Sequence, residues 1–232
     1  SYDPNLLVGR KCSQNYTLLY NDSIAKPLFD RALLAEYPPG STFKPFTALL
    51  GLQEGVMTPQ SVVSCNGGYH YGNRVMKCHA HASPLDMLHA IATSCNAYFA
   101  HEYRKIIEKY PTPAQGITAW GNDLRSFGFG EYLGSDFPIG RKGYIPDAAF
   151  YNRHYGENGW RATTNISNGI GQGEVLVTPL QLANALSAIA NKGDYYTPHI
   201  VRKIDGKTTP FTQYTEVKHT RVAPQYFDPI IK

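Results

Sequence analysis

Residues 37–45 of this 232-residue chain read Tyr-Pro-Pro-Gly-Ser-Thr-Phe-Lys-Pro, which places a serine and a lysine three positions apart. If a helix begins near Ser41, the Ser41 hydroxyl and the Lys44 amine lie on one face of it. A neutral lysine can act as the base that makes a serine hydroxyl nucleophilic, and a helix N-terminus directs N–H groups toward negative charge on a reacting oxygen. Pro45 is compatible with an early helical position. Ser41 and Lys44 are therefore a candidate nucleophile and base.

Two further motifs favour this interpretation over a chance pairing of a surface serine with a solvated lysine. Ser94-Cys95-Asn96 follows Ser41 by 53 residues, and Ser-x-Asn accompanies Ser-x-x-Lys in the serine β-lactamases and penicillin-binding proteins. Farther along, Gly169-Ile170-Gly171-Gln172-Gly173 precedes Thr178-Pro179-Leu180-Gln181. Each motif alone is uninformative. Their combination and order resemble the penicillin-binding proteins, the serine D,D-transpeptidases of peptidoglycan synthesis.

The resemblance extends over the whole chain and is strongest to class B members of the rod-elongation type. The opening Ser1-Tyr2-Asp3-Pro4-Asn5-Leu6-Leu7-Val8 and the pair Asn21-Asp22 are similar to the start of their transpeptidase domain. The resemblance implies an α+β fold, the serine transpeptidase/β-lactamase-like fold, in which a helical cluster packs on an antiparallel sheet. It also implies that Ser94 relays a proton to the leaving group, and that Asn96 binds the substrate backbone and Lys44.

The third motif of this family, Lys-Thr/Ser-Gly on a strand opposite the nucleophile, is not found in the sequence. Lys207-Thr208-Thr209 is rejected as a substitute because it follows the turn signal Asp205-Gly206 and precedes Pro210, which a central strand would not tolerate. We therefore expect residues 1–232 to be a partial transpeptidase domain, without the N-terminal anchor and pedestal and without the C-terminal Lys-Thr-Gly strands. Alone, such a chain is expected to be acylated weakly or not at all.

The function that the resemblance implies is a D,D-transpeptidase, which cross-links peptidoglycan stem peptides through a serine acyl-enzyme and is acylated by β-lactams. Catalysis of this kind needs no cofactor. The implied location is the periplasmic or extracytoplasmic face of the inner membrane, with a cell-elongation glycosyltransferase and scaffold proteins as partners. The alternatives are a class D-like β-lactamase and a β-lactam sensor domain. Asn96 and the Pro-Pro-Gly before Ser41 favour the penicillin-binding proteins over class D enzymes, which usually carry an aliphatic residue at the position of Asn96.

The composition excludes several other classes of protein. A net charge of +4 without a run of Lys and Arg gives no reason to expect a nucleic-acid partner. No stretch approaches the ~20 apolar residues of a membrane-spanning helix. A content of 17% charged and 12% aromatic residues is typical of a folded domain, and no repeat or shift in composition marks a second one.

A cluster of cysteines and histidines suggests a metal site beside the second motif. Cys65, Cys78, His81 and Cys95 could supply the four tetrahedral ligands of a structural zinc ion, and Cys95 is the middle residue of Ser-Cys-Asn. Such an ion would tie the loop of residues 60–82 to the second motif. Two alternatives stay open, a Cys65–Cys78 disulfide in an oxidising compartment and free thiols without a metal.

Hydrophobic periodicity, capping signals and turn residues predict the local structure. The expected elements, in chain order, are a short strand at 16–20, a helix at 42–53, an irregular loop at 60–82, a helix that begins with the capping box Ser83-Pro84-Leu85-Asp86, a helix at 97–109, a weak helix at 116–128, a long loop at 128–173, a helix from the capping box at 178–181 to Gly193, and a strand at 200–204.

Overall fold

The computed structural model describes residues 2–208 and 211–231, and most of its regular structure is helical. The α-helices are α1 (Cys12–Asn21), α2 (Arg31–Leu34), α3 (Lys44–Gln53), α4 (Met87–Ala92), α5 (Asn96–Glu108), α6 (Pro113–Arg125), α7 (Ala148–Tyr155), α8 (Pro179–Ala190) and α9 (Asp228–Ile231). Short 3₁₀ helices occur at Pro4–Leu7, Gly40–Phe43, Ile166–Ile170, Thr212–Tyr214 and Pro224–Tyr226.

The strands of the described residues pair as antiparallel two-stranded ribbons. They are β1 (Gly68–Tyr71), β2 (Arg74–Lys77), β3 (Asp194–Tyr195), β4 (Lys203–Ile204), β5 (Lys207–Thr208) and β6 (Lys218–His219). Strand β1 pairs with β2, β3 with β6, and β4 with β5. The predicted α+β class is thereby confirmed, and in the described part of the chain its antiparallel sheet takes the form of these ribbons.

Helix α3 lies at the centre of the helical cluster. Phe46, Leu49 and Leu50 are fully buried, and so are the polar Thr47 and all but 1% of Lys44. A helix that is buried on every face must be enclosed by other elements; α5 and α6 pack against it, as does the 3₁₀ helix Ile166–Ile170. The helix that carries the candidate base is therefore enclosed within the core.

Aromatic rings fill the space between α3, α5 and α6. The Phe43 ring lies 5.7 Å from the Phe46 ring and 6.4 Å from that of Trp120, and Tyr103 meets Trp120 edge-on at 5.5 Å. Tilted and edge-to-face contacts at these distances are the favourable arrangements of aromatic pairs. Because Phe43 is two residues from Ser41, this packing anchors the turn that carries the candidate nucleophile.

Several predicted helices are confirmed. Helix α3 ends at Gln53, as predicted, and α5 begins one residue before the expected start. Helix α8 begins with the predicted capping box, in which the Thr178 hydroxyl and the Gln181 side chain each bond the other's backbone. The weak helix expected at 116–128 is present as α6, three residues earlier.

The strand predicted at residues 16–20 is wrong, because these residues belong to α1. Their aromatic and β-branched residues favour a strand, but helical spacing brings the Tyr16 and Tyr20 rings to 5.9 Å, nearly parallel. The Thr17 hydroxyl also donates to the carbonyl of Ser13, one helical turn earlier. Local contacts between residues four apart thus stabilise α1 as a helix.

The loop predicted at 60–82 is wrong between residues 68 and 77, which form the β1–β2 hairpin. Its turn is Gly72-Asn73, where a φ of +56° at Gly72 suits a residue without a side chain. The helix predicted to start at Ser83 begins at Met87 instead. The Ser83 hydroxyl accepts from the N–H of Cys65, so it does not cap the helix; Asp86 does.

The long loop expected at 128–173 contains helix α7 and the 3₁₀ helix Ile166–Ile170, both missed because polar and aromatic residues mask their periodicity. The strand expected at 200–204 is limited to Lys203–Ile204. The turn Asp205-Gly206 is confirmed: both residues have positive φ and join β4 to β5. Thr209 and Pro210, on which part of the rejection of Lys207-Thr208-Thr209 rested, lie outside the described residues.

Candidate active site

Ser41 lies in the 3₁₀ turn Gly40–Phe43, which leads directly into α3. The N–H of Lys44 donates to the Ser41 carbonyl, so the turn and the helix form one continuous helical segment. The Ser41 side chain is exposed, whereas Phe43 is fully buried. The helix predicted to begin near Ser41 is therefore confirmed, and the serine side chain stands exposed at its start.

The Gly-x-Gly-Gln segment supports the nucleophile turn from the other side. The N–H of Gly40 donates to the carbonyl of Gly171 at 2.7 Å. A Cβ at position 171 would lie 2.4 Å from the Gly40 carbonyl oxygen and 2.5 Å from Cβ of Phe43, and its φ is +69°. Two backbones can approach this closely only if residue 171 is glycine.

A second contact holds the same segment against α3. The Thr47 hydroxyl, fully buried, donates to the carbonyl of Gly169 at 2.8 Å. A Cβ at Gly169 would lie 2.4 Å from Cβ of Tyr103 on α5. The segment 169–173 is therefore packed between α3 and α5, where it fixes the position of residue 40 and hence of Ser41.

The Lys44 amine is surrounded by acceptors of the second motif. Its Nζ lies 2.8 Å from Oγ of Ser94, 2.7 Å from Oδ1 of Asn96 and 2.5 Å from the Ser94 carbonyl oxygen. Among the hydrogen bonds of the described residues, this amine uses Ser94 and Asn96 and none to Ser41. The contact between Lys44 and Asn96 that the resemblance implies is therefore present, and Ser94 is a further partner of the amine.

Burial makes the neutral form of Lys44 more accessible than that of a lysine in water. Burial lowers the pKa of the amine to about 8, although Cys78 and Cys95 nearby act in the opposite direction. The face of the Phe99 ring lies 5.8 Å from Nζ, a cation–π contact that favours the protonated amine. At a pKa of about 8, a fraction of the amine is neutral at physiological pH, and that fraction can accept a proton as a general base must.

The second motif is the junction between α4 and α5. Ser94 has φ +54°, the left-handed region that a residue with a side chain rarely adopts. The N–H of Ser94 donates to the carbonyl of Ile91, and the N–H of Cys95 to that of Ala90, so the end of α4 is closed before α5 begins. Backbone strain of this kind occurs at functional sites, where the surrounding structure enforces it.

Asn96 connects three elements through its amide. Its Oδ1 accepts from Lys44 of α3, and its Nδ2 donates to the carbonyl of Lys77 at the end of β2, at 3.0 Å. The side chain itself stands at the first position of α5. The sequence does not predict the contact with β2, because the hydrophobic pattern of residues 68–77 indicates a loop; the Gly-Asn turn is the signal for the hairpin.

The four predicted metal ligands come together in the structure. The ligand atoms of Cys65, Cys78, His81 and Cys95 all lie within 4.8 Å of one another. Sγ of Cys78 is 3.2 Å from Nε2 of His81 and 3.9 Å from Sγ of Cys95. All four cysteines of the chain are free thiols in the structure, Cys12 among them.

This donor set fits a structural zinc ion. Tetrahedral zinc with Zn–S bonds of about 2.3 Å separates two sulfurs by about 3.8 Å, close to the 3.9 Å between Cys78 and Cys95. Nδ1 of His81 lies 2.6 Å from the Ala82 carbonyl oxygen, which leaves Nε2 directed toward the cysteines. An imidazole held in this way is typical of a metal-binding histidine.

The protonation of the thiols differs within the cluster. Burial raises the pKa of the Cys78 thiol, but hydrogen bonds from His81 and from the N–H groups of Asn96 and Ala97 outweigh burial and lower the pKa to about 7. Burial raises the pKa of Cys95 to about 12. Cys78 is therefore the thiol most easily ionised, and the first to be expected as a thiolate ligand.

The comparisons with known proteins agree with this geometry. The sequence model of the family described as the penicillin binding protein transpeptidase domain matches residues 1–230. The chain therefore belongs to the penicillin-binding protein transpeptidase family. It is 35% identical over 217 residues to the peptidoglycan D,D-transpeptidase MrdA of Acinetobacter baumannii, with 91% of this chain and 30% of that protein covered.

Solved structures of penicillin-binding protein 2 (PBP2) share the fold. PBP2 of Pseudomonas aeruginosa, solved in complex with WCK 5153, superposes with a TM-score of 0.83 at 32% identity, covering 99% of this chain and 50% of that one. PBP2 of Helicobacter pylori, solved in a complex with MreC, gives 0.79 at 25% identity, covering 99% and 40%. These relatives, named MrdA and PBP2, are of the elongation type to which the sequence resemblance points.

The chain spans about a third of the length of the curated relatives it matches. Among the helices of residues 2–208 and 211–231, none has both the length and the apolar character that crossing a bilayer requires.

Proposed function

We propose that this chain carries the nucleophile side of a serine D,D-transpeptidase active site, with Ser41 as nucleophile, Lys44 as base, Ser94 as proton relay and Asn96 as substrate-binding and positioning residue. The observation that carries the proposal is the buried amine of Lys44, which lies within 2.8 Å of Ser94 Oγ and 2.7 Å of Asn96 Oδ1. A base linked to a second hydroxyl, three residues beyond an exposed serine, is the arrangement that acyl transfer needs.

The first half of the reaction forms an acyl-enzyme. The neutral Lys44 amine takes the proton of the Ser41 hydroxyl, and Oγ attacks the carbonyl carbon between the two D-alanines of a stem peptide. As the C–N bond breaks, a proton passes from Lys44 through Ser94 to the departing amine of the terminal D-alanine. The first turn of the helical segment, where N–H groups lack intrahelical acceptors, is suited to stabilise the oxyanion.

The second half of the reaction makes the cross-link. An amine from a neighbouring stem peptide attacks the ester at Ser41, and its proton returns through Lys44 to the serine oxygen as the ester bond breaks. No cofactor takes part in these steps. A β-lactam, whose strained amide resembles D-Ala-D-Ala, would acylate Ser41 in the same way.

The alternative of a β-lactamase is not favoured by the comparisons, since the relatives are named as transpeptidases. The sensor alternative has no observation in its favour either. The transpeptidase proposal includes a location on the periplasmic or extracytoplasmic face of the inner membrane, and a cell-elongation glycosyltransferase and scaffold proteins as partners. The H. pylori complex with MreC supports the choice of scaffold partner.

The proposal is tested by labelling the full-length protein with a fluorescent penicillin and reading the covalent adduct on a denaturing gel. We expect Ser41→Ala to abolish labelling, because no other group replaces the attacking oxygen. Ser13→Ala removes an exposed hydroxyl on α1, far from the site, and is the matched control that should label at the wild-type rate. Labelling of Ser41→Ala at that rate would contradict the assignment.

The proposal also concerns the extent of the domain. Residues 1–232 would form one part of a transpeptidase domain. The strand with the Lys-Thr/Ser-Gly motif, whose backbone N–H donates to the oxyanion, would lie outside these residues. Loss of one such donor lowers rates by about 10²–10³. The 232-residue chain should therefore be labelled by the fluorescent penicillin at least about 100-fold more slowly than the full-length protein. Equal rates would show that the proposed extent is incorrect.

We further propose that Cys65, Cys78, His81 and Cys95 bind a structural zinc ion. The ion would hold the chain at Cys78 against the second motif. The Cys78 thiol already accepts a hydrogen bond from the N–H of Asn96 at 3.2 Å. Its role would be positional, since the proposed reaction uses no metal.

Elemental analysis with a thiol count tests the metal proposal. We expect one zinc per chain, one rapidly reacting thiol from Cys12, and three more that react only after chelation. Cys78→Ser should lose the metal, whereas the matched Cys12→Ser should retain it. A metal-free protein with four reactive thiols, or a Cys65–Cys78 disulfide seen by mass spectrometry, would refute the site.

A further inference from the structure

The chain contains three asparagines that a glycine follows directly, at Asn66-Gly67, Asn158-Gly159 and Asn168-Gly169. In such a pair the main-chain nitrogen of the glycine can attack the side-chain carbonyl carbon of the asparagine, because glycine has no Cβ to crowd the closing ring. The attack requires a side chain that is free to turn, a glycine N–H without a strong acceptor, and open space around both. The structure gives the three pairs different surroundings in each of these respects.

The pair Asn168-Gly169 is enclosed in the core. Asn168 is fully buried; its Nδ2 donates to the Tyr151 hydroxyl at 2.8 Å, and its Oδ1 accepts from the N–H of Glu174 at 3.3 Å. A Cβ at Gly169 would collide with the side chain of Tyr103. Ring closure here would break two buried hydrogen bonds in a place without free space, so this asparagine is protected.

The pair Asn158-Gly159 is exposed but held by its backbone. The N–H of Gly159 donates to the carbonyl of Gly156 at 3.1 Å, and the Asn158 carbonyl accepts from Arg161 at 2.9 Å. A Cβ at Gly159 would collide with the carbonyl of Tyr155. The attacking nitrogen must therefore leave a hydrogen bond in a crowded turn before it can reach the Asn158 side chain.

The pair Asn66-Gly67 has neither kind of protection. Both residues are exposed, and within residues 2–208 and 211–231 the Asn66 side chain has no hydrogen-bond partner. Gly67 has a φ of +76°, and a Cβ built on it would meet nothing within 4 Å. Burial raises the pKa of the Cys65 thiol, and the nearby N–H of Gly67 opposes that shift. The neighbour of this N–H is therefore a thiol sulfur, which is a weak acceptor.

We propose that Asn66 is a site of spontaneous deamidation, at which the main-chain nitrogen of Gly67 closes a succinimide ring on the Asn66 side chain. The bond from that nitrogen to Cγ forms as the bond from Cγ to Nδ2 breaks. The proton of the Gly67 nitrogen passes to the departing amide nitrogen, which leaves as ammonia. Water then opens the ring at either carbonyl and yields aspartate or isoaspartate at position 66, without an oxidant or a cofactor.

Isoaspartate at this position would change the path of the main chain. It routes the chain through the former side chain and so adds an extra carbon atom between Cys65 and Gly67. The Gly67 carbonyl accepts from the N–H of Cys78 at 2.9 Å, directly beside the pairing of Gly68 with Lys77. The added atom displaces Gly67 from this hydrogen bond, which loosens the base of the β1–β2 hairpin.

Peptide mapping by mass spectrometry tests the proposal on the full-length protein, incubated at mildly alkaline pH, with isoaspartate detected by an isoaspartyl methyltransferase. We expect conversion at Asn66 to be about tenfold faster than at Asn158, because one hydrogen bond must first break at the latter. No conversion is expected at Asn168. Asn66→Gln should remove the main product, since its longer side chain would have to close a larger ring, whereas the matched Asn158→Gln should leave that product in place.

Absence of conversion at Asn66, or conversion there no faster than at Asn158, would overturn the proposal. Amide hydrogen exchange separates the proposed change of the main chain from a mere change of charge. In the converted protein the N–H of Cys78 should exchange faster than in Asn66→Gln incubated in the same way. Equal exchange of this N–H in the two samples would show that the hairpin base is not displaced.

Discussion

Helices α1 and α3 are each ten residues long, yet they differ in what stabilises them. Helix α1 has no buried residue, whereas every residue of α3 except Pro45 and Gln53 is buried. The side chains of α1 contact mainly their own neighbours, and those of α3 are enclosed by α5, α6 and the 169–173 segment. The difference teaches that the catalytic geometry depends on tertiary packing, while the N-terminal segment depends on local interactions.

The largest effect is expected where two glycines differ in their surroundings. Gly171→Ala would place a methyl group 2.4 Å from the Gly40 carbonyl oxygen at a φ of +69°, which should cost about 4 kcal/mol in the free energy of unfolding. Gly9→Ala, at φ +79° with nothing within 4 Å, should strain the segment before α1 by about 1 kcal/mol. Because the elements on either side have no buried residue, the global free energy of unfolding should fall by less than that. Urea denaturation measures the free energy of unfolding of both variants. Equal losses would mean that the contact between Gly171 and Gly40 is not rigid.

Two leucines compare the helices directly. Leu49→Ala on α3 removes a fully buried side chain and should lower the free energy of unfolding by about 3 kcal/mol. Leu18→Ala on α1 removes one that is 66% exposed and should change it by less than about 0.5 kcal/mol. Chemical denaturation of both variants and of the wild type measures these changes in the free energy of unfolding. A cost at Leu18 similar to that at Leu49 would show that α1 has a packed face.

The packed part of the molecule should also show a pH dependence of stability that the N-terminal segment does not. Burial raises the pKa of Asp123 on α6 to about 6 from 3.8, with Arg221 opposing the shift. The folded state then binds the proton more tightly than the unfolded state. The free energy of unfolding should therefore fall as pH rises from about 4 to about 6, by up to about 3 kcal/mol, and stay lower above that.

Asp123→Asn should remove this decline in the free energy of unfolding. The difference in that free energy between wild type and variant should therefore change between about pH 4 and 6 and be constant above that range. Asp22→Asn alters an exposed acid just beyond the end of α1 and should leave the decline in place. Urea denaturation between pH 4 and 8 gives both curves. A wild-type curve parallel to that of Asp123→Asn would contradict the assignment.

The smallest effects concern helix caps. Thr178→Ala breaks the capping box of α8 and should cost the whole protein about 1 kcal/mol. Lys11 caps α1 without a side-chain hydrogen bond, so Lys11→Asp should stabilise α1 by about 0.5 kcal/mol. Because α1 has no buried face, the gain should appear as slower amide exchange within α1 rather than as a higher global midpoint. A shift of the global denaturation midpoint by Lys11→Asp would contradict the view that α1 is stabilised only locally.

The sequence predicts the parts of the site that depend on short spacing. Ser41 and Lys44 are separated by one helical turn, and Ser94-Cys95-Asn96 interrupts a helical pattern, so both could be placed before the structure was seen. The grouping of Cys65, Cys78, His81 and Cys95 could be predicted because cysteine and histidine are characteristic zinc ligands. The contact between Lys44 and Asn96 follows from the resemblance and not from spacing, since Lys44 lies 50 positions from Ser94 and 52 from Asn96.

Other elements were mispredicted for identifiable physical reasons. Residues 16–20 have strand-forming composition, but without a core face nothing enforces a period of two. The β1–β2 hairpin is largely exposed, so its hydrophobic pattern is weak, and only the Gly-Asn turn indicates it. The close approach of Gly171 to Gly40 explains why the Gly-x-Gly-Gln motif lies beside the nucleophile, yet no local pattern reveals which backbone it meets.

The touching backbones of Gly40 and Gly171 also limit how this site could change under selection by an inhibitor. Neither residue offers a side chain to vary, and an added methyl at 171 would collide with its neighbour. Substitutions that alter which ligands reach Ser41, without loss of the fold, would have to arise elsewhere. The β1–β2 hairpin meets the Asn96 amide through the backbone carbonyl of Lys77, so its exposed side chains are one place where substitutions need not break that contact.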